Sequence, residues 1–235
     1  YLTTRFDSNR KCVAEILSYY GIEVNVVQSY EKAIHELQSG QYYATWIICG
    51  DGNPTNNKNP YIVDQFIDCV NLFWKSGGSV VWWCDNDPLF FEANKFLEKA
   101  EFPYGNPNGN DVTKTKVRLA QGNVGMKYVK AGNTSWVKNG VFNSQRDLNF
   151  GLYIRPSVAY NLVSFYEGQT LSKVNNPNDI APFEPFAYDS AGNLISFYFA
   201  SRVYDKCGDM FFDCGFNKLF NELNFSGNDG TQRYI

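Results

Sequence analysis

Gly77-Gly78-Ser79-Val80-Val81-Trp82-Trp83-Cys84-Asp85-Asn86-Asp87-Pro88 is the stretch on which the fold turns. The apolar run from Val80 to Cys84, entered through two glycines, reads as a buried strand behind a tight loop. A short polar turn follows. Asp87 is then a good N-cap, and Pro88 suits the first helical position. Leu89, Phe90, Ala93, Phe96 and Leu97 recur at helical spacing. Cys84 thus falls on a sharp strand-to-helix turn, its thiol beside a helix N-terminus whose dipole favours the thiolate. That arrangement is a nucleophile elbow.

Upstream, strand and helix alternate. A first strand ends near Asp7, and Ser8 or Asn9 caps a helix carrying Cys12, Val13, Ile16, Leu17 and Tyr20, with Gly21 at its C′ position. Ile22 to Val27 is the second strand. Ser29 opens a helix with Ala33, Ile34 and Leu37 on one side, closed near Gly40. Ala44 to Cys49 is a third strand, almost wholly apolar, as a strand covered on both faces should be. After the polar loop from Gly50 to Pro60, a helix presents Ile62, Val63, Phe66, Ile67, Val70, Phe73 and Trp74. Repeated β-α units with short connections predict an α/β fold with a doubly wound, mainly parallel sheet.

Beyond about Phe102 the texture changes. Residues 103–113 are rich in Gly, Pro and Asn, and short strand candidates follow at Lys116 to Ala120, Met126 to Lys130, Leu152 to Ile154, Leu162 to Phe165, Leu194 to Ala200 and Met210 to Asp213. These either extend the parallel sheet or build a second one. The expected organisation is one domain over 1–235, with a regular β/α half (1–102) and a β-rich half (103–235). The abrupt ends read as those of a fragment of a longer chain.

Composition narrows the function. With 44% hydrophobic and 19% charged residues the chain is an ordinary globular one, and aromatics at 17% predict an aromatic core. A net charge of −3 without a run of basic residues leaves no electrostatic footprint for nucleic acid or anionic membrane. No apolar run is long enough to span a bilayer. Six cysteines without a C-x-x-C pair, and His35 as the one histidine, argue against a structural zinc site. Cys12 and Cys69 fall on apolar helix faces, where a free buried thiol is expected. A reducing, cytoplasmic setting follows. Cys207 and Cys214 could also pair across a hairpin.

With the elbow and its β-α units in place, the chain resembles the class I glutamine amidotransferase-like superfamily. It is nearest the branch that includes the N-terminal domain of some biotin-protein ligases and trehalose-utilisation-type proteins. The resemblance rests on Gly77-Gly78 leading the elbow strand and on Ile48-Cys49-Gly50-Asp51-Gly52-Asn53-Pro54 in the place of the family's oxyanion loop. Tyr166-Glu167-Gly168 and the run from Gly208 to Phe216 are similar to segments near the end of such domains. It implies a flavodoxin-like sheet, Cys84 as nucleophile, and backbone N–H groups of Gly50 to Gly52 and Asp85 as oxyanion donors. Two departures stand against activity. Trp82 and Asn86 occupy positions where the family carries glycine, and Trp82 is expected to crowd the thiol. No histidine follows Cys84, while Asp85 and Asp87 push its pKa up by like-charge repulsion.

The candidate site is therefore Cys84, read as a vestigial nucleophile, with a binding cleft at the carboxyl ends of the strands lined by Asp7, Gly50, Asp51, Gly52, Asp85, Asn86 and Asp87. Asp51, Asp85 and Asp87 could gather a hard cation, but acids at a cleft rim are commonly just solvated, so neither a metal nor a cofactor is expected. His35 reads as a surface residue. The expected function is a non-catalytic binding or scaffold module contacting protein partners or other domains of a longer chain. Aromatics around Tyr104, Trp136 and Phe142 are natural anchors for such contacts. The alternative is a cysteine-dependent hydrolase or amidotransferase using Cys84.

Overall fold

The structure is a computed structural model describing residues 14–15, 17–48, 60–83, 91–99, 117–120, 126–131, 152–158, 162–165, 184–188, 194–199 and 207–213. Residues 14–15 and 17–19 are helical, and the helices described in full are α1 (Tyr30–Gln38), α2 (Pro60–Lys75) and α3 (Phe91–Lys99). The strands are β1 (Ala44–Ile48), β2 (Ser79–Trp83), β3 (Val117–Ala120), β4 (Met126–Ala131), β5 (Leu152–Val158), β6 (Leu162–Phe165), β7 (Glu184–Tyr188), β8 (Leu194–Phe199) and β9 (Met210–Asp213).

The fold is mixed α/β. One sheet runs in the order β1-β2-β9-β8-β7-β4-β5, and β3 pairs with β6 apart from it. The β1–β2 and β2–β9 pairs are parallel, whereas every pair from β9 to β5 is antiparallel. Late strands thus do both things the sequence allowed: β9 extends the parallel ladder beside the elbow strand, and β3–β6 stands alone.

Local chemistry explains the first elements. Ser29 N-caps α1, its Oγ accepting from the Lys32 N–H at 3.3 Å. In α2 the sequence-predicted stripe is the buried one: Ile62, Val63, Phe66, Ile67, Val70 and Trp74. The helix ends in a Schellman cap. Gly78 N–H donates to the Phe73 carbonyl and Gly77 N–H to that of Trp74, both at 3.0 Å, with Gly77 at φ +99°. Gly77-Gly78 therefore stops one helix and launches the next strand within two residues.

The same spot receives β9. Gly208 N–H donates to the Trp74 carbonyl at 2.9 Å, and the Trp74 indole Nε1–H donates back to the Gly208 carbonyl at 2.8 Å. A Cβ at Gly208 would collide with the carbonyl of Gly78, and one at Gly78 with the Phe73 ring. Only glycine lets the two backbones approach this closely.

Helices α1, α2 and α3 share one core with the sheet. Its cross-strand row is Ile47, Trp82, Phe212 and Phe197. Trp82 stacks on Phe212 (centroids 6.1 Å apart, planes 7° apart), and Phe212 on Phe197 (4.9 Å, 13°). Phe96 of α3 closes over Trp82 at 5.3 Å. Trp82 Nε1–H finds no acceptor among the described residues, so packing alone holds this ring. The opposite face carries a second aromatic series: Trp46, Trp83, Phe211 and Phe186 follow one another at 6.2, 6.0 and 5.0 Å.

Four expectations change. Ile22 to Val27 forms no ladder; only Val27 makes a bridge, because Ile22, Glu23, Asn25 and Val26 stay exposed and leave little to bury. β7 is not among the expected strands; its Pro185 lacks a donor, and the register shifts immediately after it, an irregularity of the kind where a sheet tolerates proline. β5 runs past Pro156 to Val158 because it is the last strand in the order. Cys207 is a free thiol. Cys214, the partner the sequence offered for it, lies outside the described residues.

Candidate functional site

Three parallel strands end together. Ile48 of β1 is the register partner of Trp83 of β2, which partners Asp213 of β9, which partners Ser196 of β8. This row, Ile48–Trp83–Asp213–Ser196, lies at the carboxyl edge of the parallel ladder, on the face away from the helices. All four are out of solvent, and Asp213 and Ser196 are 0% exposed. The third and fourth predicted strands thus neighbour each other, one of the arrangements their βαβ order allows.

None of the site residues anticipated from sequence is among the described residues. Asp7, Gly50, Asp51, Gly52, Cys84, Asp85, Asn86 and Asp87 fall outside the described residues, as do Tyr104, Trp136 and Phe142. Trp82 is described, and its ring is packed between Phe96 and Phe212 in the helix-side core. The Trp82 side chain thus fills the helix-side core.

Two buried carboxylates were not anticipated. Asp213 is one. Glu92, in the first turn of α3 and 3% exposed, is the other, accepting from Tyr30 Oη at 2.5 Å. Tyr30 opens α1 and lies 5.2 Å from Phe66 near the start of α2. Tyr30 therefore joins the first turns of α1 and α3 through Glu92 and packs its ring against α2. Burying a carboxylate costs several kcal/mol unless donors meet it, and the tyrosine hydroxyl is such a donor. The sequence signal for Asp213 was its place at the end of an apolar strand, equivalent to Ile48 and Trp83. It could not be read without knowing that β9 lies beside β2.

The single histidine is elsewhere. His35 is exposed in the last turn of α1, about 7 Å along the helix from Tyr30 at 1.5 Å per residue. Its surroundings, Asn25, Val26, Val27, Glu31, Lys32 and Glu36, line an open surface hollow. Beside it a hydrogen-bonded chain runs from Asn25 Nδ2 to Tyr42 Oη (2.7 Å) and from Tyr42 Oη to Glu36 Oε2 (2.6 Å). The Glu36 bond raises the Tyr42 phenol above its ordinary value, with Asn25 partly opposing it. This chain ties the 22–27 segment to α1.

Of the thiols, Cys69 lies buried with Sγ 3.8 Å from the Ile34 carbonyl, and burial pushes its pKa up. Cys207 is raised for the same reason, with Lys75 pulling the other way. Among the described residues no three His, Cys, Asp or Glu side chains gather as a metal site, and no helix is long and apolar enough to cross a membrane.

No family model and no curated protein matches this chain. Among solved structures it is similar to the cytoplasmic protein STM3548 from Salmonella typhimurium, at TM-score 0.45 and 13% identity, over 86% of this chain and 74% of the other. Nothing about activity transfers at that distance.

Proposed function

We propose that this chain is a non-catalytic, amidotransferase-like binding module on a flavodoxin-like, doubly wound frame. The observation that carries the reading is that no histidine follows Cys84 in the chain and that the one imidazole, His35, is exposed in the last turn of α1. A thiol without an imidazole forgoes general-base assistance typically worth 10²–10⁴-fold. Partners are other proteins, or other domains of a longer chain. Supporting this, Tyr43, Tyr19 and Tyr20 are 92%, 76% and 68% exposed, with half-exposed Ile22 adjoining. Tyr43 and Ile22 line the same open groove. The free thiols at Cys69 and Cys207 fit a reducing, cytoplasmic setting.

A glutamine-mimicking diazoketone tests the reading. Amidotransferase nucleophiles displace its nitrogen and keep a covalent adduct. The intact mass of this chain is expected to stay unchanged after incubation. A single adduct mapping to Cys84 would overturn the proposal in favour of a cysteine-dependent amidotransferase or hydrolase.

A further inference from the structure

Among the described residues, most of the large apolar side chains that stand in solvent gather along one margin, between the 17–27 segment and the entry to β1. Tyr19 and Tyr20 are 76% and 68% exposed, their rings in edge contact at 5.3 Å. Gly21 turns the chain at φ +78°, and Ile22 N–H donates back to the Leu17 carbonyl at 2.9 Å, which sets half-exposed Ile22 beside the tyrosine pair. Ile22 and Val24 then line one open groove with Tyr42 and Tyr43, and Tyr43 is 92% exposed. Burial of apolar surface is the main gain of association, so a patch of this kind marks a contact surface.

We infer that this tyrosine-rich margin pairs with its own copy, making the chain a two-fold homodimer. The inference rests on the binding reading and names the partner: a second copy of this chain. A contact across a two-fold axis sets a surface against itself, so each group on it must suit its own kind. Tyrosine does. Its ring packs edge-on or offset against another ring, and its hydroxyl both donates and accepts. A surface built around charge of one sign would repel its own copy instead. Here the rim carries both signs. Glu23 lines the groove and Lys32 the neighbouring hollow, with Asn25 common to both. Neither Glu23 nor Lys32 makes an ion pair among the described residues, which leaves them to pair with each other across the axis.

The area is of the right order. A tyrosine buries about 150–250 Å² when covered, so Tyr19, Tyr20 and Tyr43 at these exposures bring about 350–600 Å² per copy. A specific interface takes about 800 Å² from each partner. Three side chains thus supply roughly half of what a stable dimer needs, and Ile22 and Val26 extend the same margin. Tyrosine is also among the residue types that carry most of the binding energy at the centre of a contact.

Sedimentation velocity over a concentration series reaching the high micromolar range tests this. The wild-type mass is expected to rise to twice that of the chain. Tyr43→Ala should raise the dimer dissociation constant at least about tenfold, and Tyr43→Glu should leave single chains throughout. Both should keep the wild-type circular dichroism and urea midpoint, because a side chain in solvent holds no core. Leu72→Ala, at a residue 65% exposed on α2, should stay dimeric. A wild-type chain that keeps the single-chain mass would overturn the inference. So would a dimer that survives Tyr43→Glu or one that Leu72→Ala dissolves. If Tyr43→Glu does not fold, Tyr20→Glu is read in its place. The mass is independent of the diazoketone adduct: single chains without an adduct sink the dimer alone, whereas a dimer with an adduct at Cys84 keeps the interface and sinks the non-catalytic role.

Discussion

Gly208 sets a contact through a side chain it lacks. Its carbonyl and N–H both bond to Trp74, and its Cα faces the Gly78 carbonyl with no space for a methyl group. Gly208→Ala should therefore cost about 2–4 kcal/mol, from overpacking against backbone and weakening of the paired bonds. Urea unfolding would read this as a lower midpoint at unchanged slope. Tyr42 offers a second residue-level check. Its phenol is raised chiefly by the bond to Glu36, so the folded value lies above the unfolded one near 10. Stability from this tie is whole below the unfolded value and is lost as pH climbs through the folded value. Absorbance titration at alkaline pH, with Tyr42→Phe to identify the band, should show Tyr42 ionising late. Glu36→Ala should bring that ionisation earlier.

Among the elements, the helix layer is tied at its ends and packed in its middle. Tyr30→Phe removes a hydroxyl donor from the buried Glu92 and should cost about 1–3 kcal/mol in chemical denaturation. Trp82→Ala, emptying the centre of the Phe96–Trp82–Phe212 stack, should cost about 3–5 kcal/mol. The surface pairs Lys95–Asp64 and Lys99–Asp68, also between α2 and α3, should each be worth no more than about 1 kcal/mol, because both ends are solvated. Helices were the legible elements. A stripe such as Ile62, Phe66, Val70 and Trp74 carries its own period and needs no knowledge of its neighbour. β7 was illegible because the irregularity that excuses Pro185 exists only against β8. Asp213 was illegible as a site residue for the same kind of reason: a strand sequence states its alternation, not its partner.

For the whole molecule, the β2–β9 pair matters most. It joins residues about 130 positions apart and makes the elbow strand an interior one, flanked by β1 and β9. Such a long-range pairing cannot be deduced from local pattern, whereas the β-α alternation before it can. The interior strand is held on one face by a core of Trp82, Phe212 and Phe96 and on the other by a buried row of Ile48, Trp83, Asp213 and Ser196. The proposed binding role requires that the Cys84 thiol be chemically ordinary. The pH profile of Cys84 alkylation by iodoacetamide, followed by peptide mass spectrometry in the reduced, folded chain, tests that most directly. The rate is expected to climb with pH through an apparent pKa at or above about 8.5, the value of an unassisted thiol. Rapid labelling that is already flat with pH below about 7 would mean an activated thiolate and would contradict it.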